Sequence, residues 1–304
     1  MSPRPEAAIH ATDLRMSYGT TRVLEGIDLD VRPGEVFAML GPNGAGKTTT
    51  ISILTTLLRP THGSATIAGF DVAREPRRVR EVISLTGQFA AVDSKLTGRE
   101  NLLLMARLHH LPRRSVRGRA DELLERFDLV AAADRLVGTY SGGMRRRLDL
   151  AISLVARPQV LFLDEPTTGL DPRSRQTVWD LVREVADDGT TTFLTTQYLE
   201  EADRLADRIA VIDEGRVVAE GTASQLKSGL GEAFVELVLA DATQTRIPTD
   251  GSIEHVGEVL ANIRRQGLDV QRWQVREPTL DEVFLALTGH RAAPTTDVIA
   301  GARR

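Results

Sequence analysis

Two short stretches of the chain carry residues whose types and spacing suit work on phosphate. Gly41-Pro42-Asn43-Gly44-Ala45-Gly46-Lys47-Thr48 fits the pattern G-x-x-x-x-G-K-[ST]. An unbroken apolar run, Val36 to Leu40, precedes it, and a segment of helical character follows, beginning at Lys47. Without that flanking strand and helix the match would be only a glycine-rich turn. With them, glycines let backbone N–H groups turn inward toward phosphate oxygens, and the helix N-terminus adds partial positive charge. Lys47 then stands where it can bridge β- and γ-phosphates, and Thr48, followed by Thr49, can offer a hydroxyl to Mg²⁺. The chain has 35 Arg and only 3 Lys, yet Lys occupies this one place that suits a compact point charge better than a planar fork.

The second stretch runs from Tyr140 to Asp171. Val160 to Leu163 reads as a central strand ending in Asp164-Glu165, so both carboxylates emerge at the C-terminal end of the sheet beside the phosphate loop. Asp164 is placed to hold Mg²⁺ through water, and Glu165 to polarise an attacking water as general base. Upstream, Ser141-Gly142-Gly143-Met144 opens a helix expected to end near Arg157-Pro158. As a tetrapeptide it is equally a good helix N-cap. The three arginines that follow, Arg145, Arg146 and Arg147, read first as a solvated helix face and second as cations near phosphate.

Together these motifs, over residues 8 to 225, resemble the ATP-binding subunits of ABC transporters. The resemblance implies MgATP as ligand and an α/β P-loop NTPase fold: a RecA-like core, an antiparallel β subdomain and a helical signature subdomain. In that family the Ser-Gly-Gly turn faces the γ-phosphate bound on a second subunit. Ser141, Gly142, Gly143 and Met144 would therefore complete a site in trans, two copies of the chain clasping two ATPs head-to-tail. The chain reads Tyr-Ser-Gly-Gly-Met where the commonest family form has Leu first and Gln fifth. Tyr18 resembles the aromatic that stacks on adenine, though alone it reads as an ordinary strand residue. Gln88 resembles the glutamine that touches Mg²⁺ and senses the membrane partner, and Asp171 closes a Gly-Leu-Asp turn resembling the one that communicates across the dimer.

A departure lies at Gln197, where most of the family carries histidine. An amide can donate to phosphate but cannot become a cation. The resemblance then implies that Gln197 positions the γ-phosphate and water while Glu165 remains the base. Thr-Gln-Tyr-Leu-Glu-Glu-Ala-Asp, Tyr-Ser-Gly-Gly-Met-Arg-Arg-Arg-Leu-Asp and the segment Leu280 to Leu285 look like the daunorubicin/doxorubicin-resistance subfamily of drug exporters. That implies a bacterial subunit at the cytoplasmic face of the membrane, driving a separate permease. Lipid or polysaccharide export, or soluble work without transport, remain open alternatives on the same engine.

The elements that must position these residues follow from hydrophobic pattern. Ile9 to Tyr18, Arg22 to Leu24 and Ile27 to Val31 read as short strands with hairpin turns. A helix is expected from Lys47 to about Leu58, stopped by Arg59-Pro60. Helical spacing dominates residues 96 to 156, with breaks at Leu111-Pro112 and Gly138. Thr191 to Thr195 and Ile209 to Ile212 are further buried strands, and helices fall at Arg173 to Ala186 and Leu199 to Leu205. Such β/α alternation implies a parallel sheet covered on both sides.

The expected organisation is an ATP-binding domain over 8–225, with its helical subdomain near 90–157. A small C-terminal α+β domain follows over 226–290, with a flexible tail over 291–304. In the small domain Phe234 to Leu239 and Leu268 to Val275 read as strands, Ile253 to Gln266 and Leu280 to Thr288 as helices. Leu280, Val283, Phe284 and Leu287 share one face of the last helix.

Composition narrows the function classes. With 41% hydrophobic and 26% charged residues the chain suits a soluble globular fold, and its net charge of −4 argues against a nucleic-acid partner. With Cys 0, disulfides, thiolate metal sites and a cysteine nucleophile are excluded. The N-terminus is not expected to be a signal peptide, and no run approaches the ~18 apolar residues of a spanning helix. Any membrane path would come from another polypeptide.

Overall fold

The computed structural model describes residues 7–87, 92–229, 233–240, 244–267 and 269–289. It divides into two compact units, the first running to Glu220 and the second beginning at Gly221. The first unit opens with β1 (Ile9–Tyr18), β2 (Thr21–Val31), β3 (Val36–Leu40) and α1 (Lys47–Leu54). There follow β4 (His62–Ile67), β5 (Phe70–Asp71), α2 (Pro76–Val82) and β6 (Ile83–Thr86). Three helices come next, α3 (Gly98–Leu108), α4 (Arg113–Arg126) and α5 (Gly142–Ser153). The unit closes with β7 (Val160–Asp164), α6 (Pro172–Asp187), β8 (Thr191–Thr196), α7 (Leu199–Leu205), β9 (Arg208–Asp213) and β10 (Arg216–Gly221).

Two sheets organise this unit. A four-stranded sheet has the order β2-β1-β4-β5, with antiparallel pairing between neighbours β1 and β2 and between β1 and β4. A six-stranded sheet has the order β10-β9-β3-β8-β7-β6. From β9 to β6 each strand pairs in parallel with its neighbour. β3, β7 and β8 are buried at every position, as strands covered on both faces must be. Phe37, Phe193 and Phe162 stand in register across β3, β8 and β7. Their rings lie 5.6 Å apart from neighbour to neighbour, which aligns the three strands.

Several boundaries differ from the sequence pattern. Arg22 to Leu24 and Ile27 to Val31 form one continuous strand, since the pairing with β1 absorbs irregularities instead of breaking. α1 stops at Leu54 and not near Leu58. Thr56 turns left-handed at φ 65, and the N–H groups of Leu57 and Leu58 both return to the Ser52 carbonyl. α5 ends at Ser153, short of Arg157. β4 and β6 carry polar residues at alternate positions, and β10 has only Val217 to Ala219 between Arg216 and Glu220-Gly221, so none offers a long apolar run.

The second unit contains α8 (Ala223–Ser228), β11 (Phe234–Leu239), β12 (Gln244–Pro248), α9 (Ile253–Arg265), β13 (Val270–Arg276) and α10 (Leu280–Thr288). Its antiparallel sheet has the order β12-β11-β13. Val235 and Leu237 of β11 pack with Val259 and Ile263 of α9 to make its core. On α10, Leu280, Val283 and Phe284 are buried, but Leu287 is exposed and does not join that face.

Candidate active site

Parallel pairing brings the C-terminal ends of β3, β8 and β7 side by side, with Leu40 opposite Thr196 and Asp164 opposite Thr195. Everything that leaves those ends toward the next helix is therefore gathered in one place, the usual ligand position of an open α/β sheet. The loop Gly41 to Gly46 leaves β3, Gln197 follows β8, and Glu165 follows β7. Gly41 N–H donates to the Thr196 carbonyl at 3.2 Å, pinning the start of the loop to β8.

Gly46 caps α1 at φ 109, a conformation L side chains rarely adopt, and a Cβ there would lie 2.5 Å from Leu24 Cδ2. Glycine at that position lets the loop pass beneath β2 and turn directly into the helix. Lys47, the first helical residue, is buried, and its ammonium donates to the carbonyls of Gly41 at 2.8 Å and Pro42 at 3.0 Å. It also lies 3.7 Å from Glu165 Oε1. Burial pulls the Lys47 pKa down, and the nearby Glu165 and Asp164 carboxylates oppose that shift.

Thr48 Oγ1 is 3.2 Å from Asp164 Oδ2, and Thr195 Oγ1 donates to Asp164 Oδ1 at 2.6 Å. A hydroxyl and a carboxylate meeting beside a phosphate-type loop form an all-oxygen donor set, which suits a hard cation such as Mg²⁺. Glu165 adopts φ 49, unusual for a residue with a side chain. Its N–H is held by Thr195 at 3.1 Å to the carbonyl and 3.2 Å to the hydroxyl, so β8 over-determines the turn. Thr168 Oγ1 donates to Glu165 Oε2 at 3.3 Å.

Lys47, Thr48, Asp164 and Glu165 are thus brought together, with Asn43, Gly44 and Ala45 in the loop above them. Gln197 stands at the adjacent strand end. Tyr18 closes β1 beside its hairpin turn and is half exposed. Gln88 lies outside the described residues. Among the described residues no hydrogen bond joins Ser141, Gly142, Gly143 or Met144 to the Gly41–Thr48 loop. Ser141 and Gly142 are exposed, with Ser141 Oγ accepting from Met144 N–H at 3.2 Å as the N-cap of α5. Asp171 caps α6, accepting from Ser174 N–H at 3.0 Å and Ser174 Oγ at 2.6 Å. The Ser174 hydroxyl, followed by its backbone N–H, holds the Asp171 carboxyl below the ordinary carboxylate range.

One expectation is overturned. The arginines after the signature turn are not a solvated face. Arg146 is buried, reaching the carbonyls of Pro166 at 2.7 Å and Gly87 at 2.9 Å and the Asp149 carboxylate at 3.2 Å. Arg147 donates to the carbonyls of Phe127 at 2.9 Å and Asp128 at 3.0 Å at the end of α4, whose last carbonyls need partners. α5 packs between β6 and the other helices, so Arg146 and Arg147 find backbone acceptors where solvent was expected.

Sequence reasoning also missed Glu201. It is fully buried, and its Oε1 accepts from Thr167 Oγ1 at 2.7 Å and Trp179 Nε1 at 3.0 Å. Burial pushes its carboxyl pKa up, opposed by hydrogen bonds from Thr196, Thr167 and Trp179. The signal available was weak: the second of two adjacent glutamates on a short helix, falling on the same side as Ala202 and Leu205.

Parallel sheet, phosphate-type loop and strand-end carboxylates define a P-loop nucleoside triphosphatase. The ABC transporter family model matches residues 24–168. The chain is 51% identical to the daunorubicin resistance ATP-binding protein DrrA2 of Streptomyces coeruleorubidus, across 95% of this chain and 97% of that one. It is likewise 51% identical to the daunorubicin/doxorubicin resistance ATP-binding protein DrrA of Streptomyces peucetius, across 96% of each. A solved ATP-binding subunit of an ABC transporter superposes with a TM-score of 0.66 at 29% identity, covering 74% of this chain and 93% of that one. The chain belongs to the ATP-hydrolysing subunits of the ABC transporter family.

Proposed function

We propose that this ATPase powers export of an apolar, drug- or antibiotic-like compound through a separate membrane permease, at the cytoplasmic face of a bacterial membrane. The names of the relatives support the cargo class, since resistance to daunorubicin and doxorubicin is what they record. No described helix is long and apolar enough to cross a membrane, in keeping with a path supplied by another chain. Two copies clasp two ATPs head-to-tail, each copy lending Ser141 to Met144 to the nucleotide held by the other and communicating through Asp171.

The observation that carries the chemical reading is the meeting of Lys47, Thr48, Asp164 and Glu165 at the C-terminal ends of β3 and β7, on either side of β8. The backbone N–H groups of Asn43 to Thr49 cradle the phosphates, with Gly41 and Pro42 leading into the loop and Asn43 and Ala45 shaping it. Lys47 bridges the β- and γ-phosphates, and Tyr18 stacks on adenine. Thr48, Asp164 and Gln88 would hold Mg²⁺, which when bound would neutralise charge on the phosphate oxygens. Glu165 accepts the proton of the attacking water as its oxygen bonds in line to the γ-phosphorus and the bond to the β–γ bridging oxygen breaks, leaving ADP and inorganic phosphate. Gln197 donates its amide N–H to the γ-phosphate and holds the water's orientation without becoming charged.

Glu165→Gln removes the proton acceptor while keeping shape and hydrogen-bonding capacity. Turnover is expected to fall by ~10²–10⁴, the usual scale for a general base, with ATP affinity unchanged. Normal turnover in that variant would remove Glu165 from the mechanism. Reconstitution with a candidate permease tests the rest: ATPase activity should respond to the permease and to an apolar amphiphilic drug. An active dimer indifferent to every membrane partner would sink the exporter reading.

A further inference from the structure

Arg146 is a buried cation that the reaction described above leaves without a role. Its guanidinium joins three parts of the first unit that are remote in sequence. Nε donates to the Pro166 carbonyl at 2.7 Å, one residue past Glu165. Nη1 donates to the Gly87 carbonyl at 2.9 Å, immediately before Gln88, and to Asp149 Oδ2 at 3.2 Å within its own helix. Pro166 and Gly87 follow β7 and β6, which are neighbours in the parallel sheet, with Thr86 opposite Leu163. The guanidinium therefore spans two adjacent strand ends and fixes both to α5.

The same helix begins at Ser141. Arg146 lies five positions after Ser141, about 7–8 Å along the axis at the usual helical rise. A planar fork holding two backbone carbonyls has little freedom to tilt, so α5 cannot move at its N-terminus without dragging the Pro166 peptide. That N-terminus also packs close against α6: a Cβ on Gly143 would lie 2.3 Å from Ser174 Oγ, and Ser174 is bonded to Asp171. The turn from Glu165 to Asp171 is thus bonded to α5 at Pro166 through Arg146, and beyond its other end Gly143 packs against Ser174, which Asp171 holds.

We propose that Arg146 is a positioning residue that yokes the α5 N-terminus to the turn following Glu165, setting the carboxylate's aim and the presentation of Ser141–Gly143 to a second copy as one rigid adjustment. This rests on the reading of Glu165 and of the in-trans signature turn under Proposed function. An ion pair held merely for stability would need only Asp149; the two carbonyl contacts are what tie the strand ends to the helix.

The test compares wild type, Arg146→Gln and the double variant Arg146→Gln/Asp149→Asn in the full chain. Removing the Arg146 cation takes a counter-charge away from the buried Asp149 carboxylate and should lower the melting temperature; neutralising both should recover much of it. A misplacement on the order of 1 Å at a reacting group costs roughly 10²-fold, so both variants are expected to lose ~10–100-fold in kcat. Their affinity for a fluorescent ATP analogue should stay within about threefold of wild type, the Gly41–Thr48 loop being untouched by Arg146. ATP-driven dimerisation, measured by sedimentation with Glu165→Gln added to slow turnover, should weaken in step.

If kcat returns together with the melting temperature in the double variant, Arg146 is only structural and the yoke is wrong. Unchanged kcat in either variant overturns it, as does lost kcat with dimerisation intact, because the two ends would then be independent. A wild-type chain that neither hydrolyses ATP nor dimerises with it condemns the underlying functional reading instead, and wild type alone reveals that.

Discussion

Glu201 shows what a carboxylate does when the sheet closes over it. Its carboxyl takes hydrogen bonds from Thr167 and Trp179 at 2.7 and 3.0 Å, yet burial outweighs them and raises its pKa. A raised folded-state value means that the folded chain holds this proton more tightly than the unfolded chain. The resulting stability is complete below the unfolded carboxyl range, about 4.3 for Glu, and is lost as pH rises through the folded-state value. Glu201→Gln keeps an acceptor oxygen for Thr167 and Trp179 and cannot ionise. Its melting temperature should match wild type on the acid side and exceed it increasingly toward pH 8. Thermal melts across pH read this directly; a variant less stable than wild type at pH 8 would mean that the donors and the nearby Arg175 cation favour the ionised form after all.

The same contest between burial and partners operates on whole strands. Phe193 is the middle ring of the three that register β3, β8 and β7, and it is completely buried. Phe193→Ala should cost about 3–5 kcal/mol in urea unfolding, with little collapse of the cavity because strands flank it on both sides. A loss well below that range would show that the sheet repacks. β3 and β7, and the loops that leave them, were legible in the sequence because a strand buried on both faces tends to be apolar throughout, as Val36 to Leu40 and Val160 to Leu163 are; β8, Thr-Thr-Phe-Leu-Thr-Thr, keeps only its central Phe-Leu of that pattern. β6 was not legible, since Ile-Ser-Leu-Thr at the sheet edge alternates with polar residues and has no such run. The buried site residues were legible only where a local motif named them. Arg146 sits among three consecutive arginines, and its partners lie 20 and 59 residues away, so nothing local distinguishes it from a solvated neighbour. Glu201 fails in the same way, its burial being decided by Thr167 and Trp179 on other segments.

At the scale of the whole molecule, Ser141 and Gly142 face solvent and make no hydrogen bond to their own chain's Gly41–Thr48 loop among the described residues. If they act on a second copy, their loss should be curable by a chain broken elsewhere. Gly142→Asp suits this test. A Cβ at Gly142 meets nothing closer than Leu170 Cδ2 at 3.8 Å, an ordinary contact, and an acidic residue in the first turn of α5 favours the helix dipole. The variant should therefore fold as wild type does while placing negative charge against the partner's γ-phosphate. Alone it should be nearly inactive, as should Glu165→Gln. In a mixed dimer of the two, one site joins an intact Glu165 to an intact signature turn, and the other joins both defects. Random reassortment makes half of the dimers mixed, so an equimolar mixture should regain about a quarter of wild-type activity if each site works alone. Activity no higher in the mixture than in either variant would rule out independent sites completed in trans, and recovery above about a quarter would require one intact site to drive its defective neighbour.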